Sequence, residues 1–173
     1  MKKTIKAALL WICAAAVAVG VASCGGKQQE QTKLDPELEK QLGTLKTAAE
    51  EGAEFIAAQM KADPQLKKTK SGLVYKITEP GAGDTFKPTD VVKVIYTGKH
   101  TNGEEFDSSR GEAVDFPLQN VVPGFREMIT MMRPGAKAYC IIPGELAYGD
   151  RGNQTIAPNE TLVFEIETQG LAK

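Results

Sequence analysis

Histidine is almost absent from this chain: a single one, His100, occurs in 173 residues. No pair of imidazoles can gather a metal ion, and no other ligand stands near His100 at metal-binding spacing. It lies beside an Asn102-Gly103 turn and is expected to be a solvated loop residue. A basic excess is missing as well. The chain has 21 Lys and Arg against 22 Asp and Glu, a formal charge of −1, which gives nucleic acid no electrostatic footprint. Internal repeats are absent. Gly81-Ala82-Gly83 opens no helix, which argues against a nucleotide-binding loop. The longest apolar run, Ala7 to Ala22, is 16 residues and short for a membrane span.

That run has another use. Lys2, Lys3 and Lys6 precede it, and the order of cations, apolar core and small residues is that of a secretory signal. Val21-Ala22-Ser23-Cys24 then resembles a bacterial lipobox, in which the cysteine is lipidated and becomes the mature N-terminus. An ordinary secretory signal cleaved nearby is the plainer alternative. Residues 1–23 are therefore expected to be a lipoprotein signal peptide, with Cys24 the lipidation site and a bacterial envelope membrane the anchor. Cleavage leaves 150 residues, removes three lysines and no acids, and takes the formal charge from −1 to −4. Of the three cysteines only Cys140 then keeps a free thiol, and one thiol makes no internal disulfide. Its place in an alternating strand marks it as a small buried hydrophobe.

Residues 24–33 are polar, without periodicity, and form a flexible tether. Over residues 34–66, Asp35-Pro36 is an N-cap and first helical position, and Asp63-Pro64 a stop. Between them Leu38, Leu42, Leu45, Ala49, Gly52 and Ile56 form a heptad-like stripe, with Gly43 and Gly52 each costing about 1 kcal/mol relative to alanine. This predicts a spacer helix or one docked on its own domain; the alternative is a homodimer through residues 36–62.

From Ser71 the period changes to two. Leu73, Tyr75 and Ile77 alternate with Val74 and Lys76, and Asp90 to Lys99 is a longer strand rich in β-branched residues. Asn102-Gly103 is a tight-turn signal. Val114, Phe116 and Leu118 alternate again, as do Ala136 to Ile142 and Thr161 to Thr168. Between them Val121, Val122, Phe125, Ile129 and Met132 recur at helical spacing, with Pro123 suited to a first helical position and Met132-Arg133-Pro134-Gly135 as a stop. About five antiparallel strands and one short helix make an α+β half-barrel, with the helix across the concave face of the sheet.

Six segments in order carry a family resemblance: Ser71-Gly72-Leu73-Val74-Tyr75, Tyr96-Thr97-Gly98, Phe106-Asp107-Ser108-Ser109, Val121-Val122-Pro123-Gly124-Phe125, Tyr148-Gly149 and Ala157-Pro158-Asn159-Glu160-Thr161-Leu162-Val163-Phe164. Residues 67–173 resemble an FKBP-type peptidyl-prolyl cis-trans isomerase domain. The resemblance implies an FKBP-like antiparallel half-barrel wrapped round one short helix. It also implies a cup for a prolyl ring, lined by Tyr96, Phe106, Val121, Val122, Phe125 and Phe164, with Ile156 and Tyr148 covering it from the long loop. The backbone N–H of Val122 and the hydroxyl of Tyr148 would hold substrate carbonyls, and Asp107 would face the carbonyl of the twisting amide. Proline-containing polypeptide clients and inhibition by macrolides such as rapamycin follow from the same likeness. Three positions depart from the commonest pattern. Phe125 replaces a tryptophan, Arg110-Gly111-Glu112 brings no basic partner to Asp107, and the 150–155 loop is a residue short.

Taken singly, these aromatics would be core and Asp107-Ser108-Ser109 a turn; their joint order reverses that. The chemistry agrees. Rotating an X–Pro bond breaks amide resonance over a barrier of about 18–20 kcal/mol and changes no covalent bond, so neither nucleophile, metal nor cofactor is called for. The alternative is a non-catalytic chaperone or adaptor that holds apolar segments in the same cup.

Overall fold

The computed structural model describes residues 46–172. The signal segment, Cys24, the tether, Asp35-Pro36 and Leu38, Leu42 and Leu45 lie outside the described residues. Helix α1 spans Ala48–Ala62 and starts at Thr47, not at Asp35. The reason is a capping box. Thr47 Oγ1 accepts the Glu50 N–H at 3.3 Å, and Glu50 Oε2 accepts the Thr47 N–H at 2.8 Å. Extended backbone at Thr47 makes this a true helix start, so no single helix runs from residue 36 to 62. The expected stop holds: Asp63 is the C-cap, and its carboxylate accepts the N–H of Gln65 just past Pro64.

Seven strands follow instead of about five: β1 Lys67–Lys68, β2 Val74–Pro80, β3 Val91–His100, β4 Glu105–Ser108, β5 Val114–Pro117, β6 Ala136–Ile142 and β7 Leu162–Leu171. All pairings are antiparallel, in the order β1-β2-β6-β7-β3-β4, with β5 pairing the first half of β3. The extra strands are short pieces at the edges. Alternation sends Leu73, Ala138, Cys140, Phe164 and Ile166 to one face, and Val74, Ile141 and Val163 to the other.

The two faces hold different helices. Helix α2, Pro123–Met131, lies on the concave face with Phe125, Met128 and Ile129 buried, and Pro123 is its first residue. The chain leaves it at Met132, also fully buried. On the opposite face α1 sets Ile56 and Phe55 against Val74, Ile141 and Val163. Gly52 permits that seat, because a Cβ there would overlap the Thr161 hydroxyl. The glycine expected to weaken the stripe is where the helix comes up against Thr161, the residue before β7. Gly52 and Ile56 are thus occupied within their own domain. Cys140 is fully buried, and burial pushes its thiol well above the usual range, as a structural hydrophobe requires.

Candidate active site

A cavity of about 200 Å³ opens at the N-terminal end of α2. Its lining contains Tyr96 from β3, Phe106 and Asp107 from β4, Phe116 from β5, Asn120, Val121 and Val122 from the approach to α2, Phe125 from α2, Tyr148 from the long loop, and Phe164 from β7. Larger grooves lie on the outer side. The one of about 610 Å³ runs past the C-terminal end of α1, among Gln59, Asp63, Lys76, Lys137, Glu165 and Glu167, with Tyr96 and Tyr139 but no phenylalanine in its lining.

The aromatic rings of the cup form a connected set. Phe125 lies 5.3 Å from Phe164, 5.8 Å from Phe116 and 6.0 Å from Tyr96, and Phe106 lies 5.7 Å from Phe164, mostly edge to face. Each such pair adds about 0.5–1.5 kcal/mol beyond area burial, so the walls are stiff. Gly98 lets two of them close over the strand: a Cβ there would stand 2.7 Å from Phe106 and 2.8 Å from Phe164.

Polar groups are few and converge. The Tyr96 hydroxyl donates to Asp107 Oδ2 at 2.6 Å, supplying the neighbour that the 110–112 segment does not. Burial, and then that bond, push the Tyr96 phenol far above its ordinary range. Asp107 itself sits exposed on the rim. The Tyr148 phenol is also raised, by burial first and then by the negative charge of Asp107, so the two side chains share one electrostatic environment. Tyr148 remains 39% exposed. Val122 is the N-cap of α2, where the first N–H groups have no intrahelical acceptor, and Pro123 contributes none.

The rest of the Asp107-Ser108-Ser109 segment is structural, as the end of strand β4 and not as a turn. Ser109 Oγ accepts the Tyr96 N–H at 3.1 Å and its own N–H donates to Tyr96 O at 3.0 Å, which locks β4 beside β3. Ile156 departs from expectation. It is 2% exposed and packs with the core, outside the cavity lining, while its N–H donates to Asn153 Oδ1. Phe116 and Asn120 line the cup and were not anticipated; the alternation of Val114, Phe116 and Leu118 put Phe116 on the inner face and was the available signal. His100 is not a solvated loop residue. It ends β3, its side chain is 18% exposed, Nδ1 pairs with Glu160 Oε1, and its ring packs against Phe106 at 5.2 Å. The turn beside it is formed by Asn102 and Gly103, and β3 itself extends one residue further than its β-branched run suggested.

Among the described residues no cluster of His, Cys, Asp or Glu is arranged to hold a metal ion. What the cup offers is shape, dryness and directed hydrogen bonds.

Comparison with known proteins places this geometry. The profile of the FKBP-type peptidyl-prolyl cis-trans isomerase family matches residues 83–169. A probable FKBP-type peptidyl-prolyl cis-trans isomerase of Haemophilus influenzae is 47% identical over 125 residues, 70% of this chain and 52% of the relative. Among solved structures, FkpA from Escherichia coli superposes with a TM-score of 0.69 at 37% identity, covering 78% of this chain and 62% of that one. A peptidyl-prolyl cis-trans isomerase of Pseudomonas syringae pv. tomato gives 0.67 at 32% identity, covering 73% of this chain and 94% of that one. The chain spans about half the length of the curated relatives it matches. The matched segment holds the cup from Tyr96 to Phe164, and the chain belongs to the FKBP-type peptidyl-prolyl cis-trans isomerase family.

Proposed function

We propose that this protein catalyses cis-trans rotation about X–Pro bonds in proline-containing polypeptides. The observation that carries the reading is the aromatic cup of about 200 Å³, with a tyrosine–aspartate hydrogen bond on its rim and a helix start at its base. The planar amide owes its stability to charge-separated resonance. A dry cavity disfavours that form and so lowers the relative cost of the twisted one. Phe106, Phe125 and Phe164 exclude water, with Tyr96 and Val121 completing the walls. The N–H of Val122 and the hydroxyl of Tyr148 fix the substrate carbonyls, and Asp107 faces the carbonyl of the rotating amide, where fixed dipoles favour the twisted geometry. Ile156 acts from behind, as support for the loop that carries Tyr148. No proton or covalent bond moves. Macrolides such as rapamycin would compete for the same cup.

The test is direct. Uncatalysed X–Pro exchange takes tens to hundreds of seconds, so the soluble chain at micromolar concentration should visibly accelerate it in a proline-containing peptide. A folded chain without effect, but still binding the peptide, would be a non-catalytic chaperone or adaptor.

The location we propose is the bacterial cell envelope, with a lipid on Cys24 holding the domain outside the cytoplasm. Support comes from the lysines, apolar run and small residues before Cys24. Among the described residues no helix is long and apolar enough to cross a membrane. Cys24→Ala should leave an uncleaved precursor or release the protein; a mature, membrane-bound Cys24→Ala protein would remove the lipobox. The domain order follows: signal 1–23, tether 24–33, helical segment 34–66 and isomerase domain 67–173, with α1 docked on the last. The alternative of a homodimer through residues 36–62 is tested by solution mass. A solution mass of two chains that Leu38→Lys and Leu42→Lys do not halve would exclude that seam.

A further inference from the structure

Two segments from distant parts of the chain face each other across the cup. The β3–β4 hairpin carries Phe106 and Asp107, and the loop over residues 143–161 carries Tyr148 and Ile156. His100 and Glu160 join them. Nδ1 of His100 meets Glu160 Oε1 at 2.5 Å, with side chains only 18% and 17% exposed. The second carboxylate oxygen, Oε2, accepts the N–H of Ala157 at 2.7 Å, directly after the buried Ile156. Both oxygens of one mostly buried carboxylate are therefore committed, one to the hairpin and one to the loop. His100 is held just as firmly at its own end. Its N–H donates to Glu104 O at 2.8 Å, and its carbonyl accepts the Gly103 N–H at 3.0 Å, closing the turn. Its ring meets Phe106 at 5.2 Å, and Phe106 in turn meets Phe164.

We propose that His100 and Glu160 are positioning residues for the isomerisation, a latch that holds the Tyr148 loop against the hairpin and backs Phe106, so setting the width of the cup. Neither residue lines the cavity, and both act through residues that do. The inference rests on the proposed isomerase activity and assigns a function to the chain's single histidine. Its logic is geometric. A cup that favours a twisted amide by fit loses rate when one wall relaxes, even though no group that touches the substrate has changed.

Peptide isomerisation by the mature chain, with folding checked by circular dichroism, tests this. His100→Ala and Glu160→Ala should each lower kcat/KM about tenfold, mainly in kcat, because the misplaced wall affects the twisted state more than the bound ground state. The double variant should lose clearly less than the product of the two single losses, since the interaction the two residues share is lost only once. His100→Asn, whose amide nitrogen takes the place of Nδ1, should restore most of the rate. Glu160→Gln has one acceptor oxygen for two donors and should fall between wild type and Glu160→Ala; with His100→Asn it carries the test if the alanine variants do not fold. Folded variants with lowered thermal stability but wild-type kcat/KM would overturn the latch, and so would failure of His100→Asn to rescue. An active wild type with unaffected variants fails the latch alone, whereas an inactive wild type removes the isomerase reading and the latch with it.

Discussion

The two helices occupy opposite faces of one sheet and use it differently. Helix α1 begins with a complete capping box, comes close at Gly52, and packs Ile56 onto Val74, Ile141 and Val163. Helix α2 begins with no side-chain cap, and its first residue is a proline. Its C-terminal part is packed by Met128, Ile129 and Met132, yet a cavity remains beside its N-terminal end. One helix end is satisfied by its own side chains; the other has no side-chain cap and begins beside an aromatic cup. The difference teaches where chemistry can reside in a small domain: at the place where the core stops short of filling its own concave face. Strand β7 carries both arrangements in successive residues, Val163 toward α1 and Phe164 toward α2.

The comparison breaks most visibly at Phe164. Phe164→Ala removes a ring that touches Phe106 and Phe125 and should cost about 3–5 kcal/mol of stability. It should also lower kcat/KM of the molecules that stay folded by about a hundredfold, because the floor of the cup opens to water. Urea unfolding and peptide isomerisation measure the two losses separately. Wild-type kcat/KM in the folded fraction would mean that the cup is not the active site. Ile56→Ala is the matching change on the other face. It should cost about 2–4 kcal/mol and leave kcat/KM untouched, since Ile56 packs in the cluster under α1 and does not line the cup. A parallel loss of rate would show that the two faces are coupled through the sheet.

How far the sequence reached follows the same division. The strands were legible because Leu73, Tyr75 and Ile77, and again Leu162, Phe164 and Ile166, alternate cleanly, and helix α2 because its apolar stripe lies between Pro123 and Gly135. The ordered segments located the cup through residues whose chemistry is local. What was missed depends on contact between distant segments. The Thr47 cap was hidden because the stripe of Leu38, Leu42 and Leu45 continues smoothly into Ala49, and a stripe records period, not where a helix starts. Gly52 looked like a defect because the facing Thr161 is a hundred residues away. The burial of His100 could not be read beside an exposed turn, since its partner Glu160 is 60 residues downstream.

The smaller effects sharpen the account of the cup itself, by separating its walls from its rim. Asp107→Asn keeps the size of the side chain and an oxygen that can still accept from the Tyr96 hydroxyl, and loses only the charge. General acid–base catalysis typically supplies 10²–10⁴-fold. If desolvation and fit carry most of the rate, the loss in kcat/KM should stay near tenfold, below that range and well below Phe164→Ala. A thousandfold collapse in a normally folded Asp107→Asn protein would make the carboxylate the principal catalyst and demote the walls. Tyr148→Phe should matter least. The ring stays, the lining of the cup is unchanged, and one hydrogen bond of about 1 kcal/mol goes, a fall of roughly fivefold. Because Tyr148 is 39% exposed, water can replace part of what its hydroxyl does, which sets the direction of any deviation toward a smaller loss. A loss larger than that of Asp107→Asn would reverse the order of the two rim groups and place the decisive hydrogen bond on the loop, not on the hairpin.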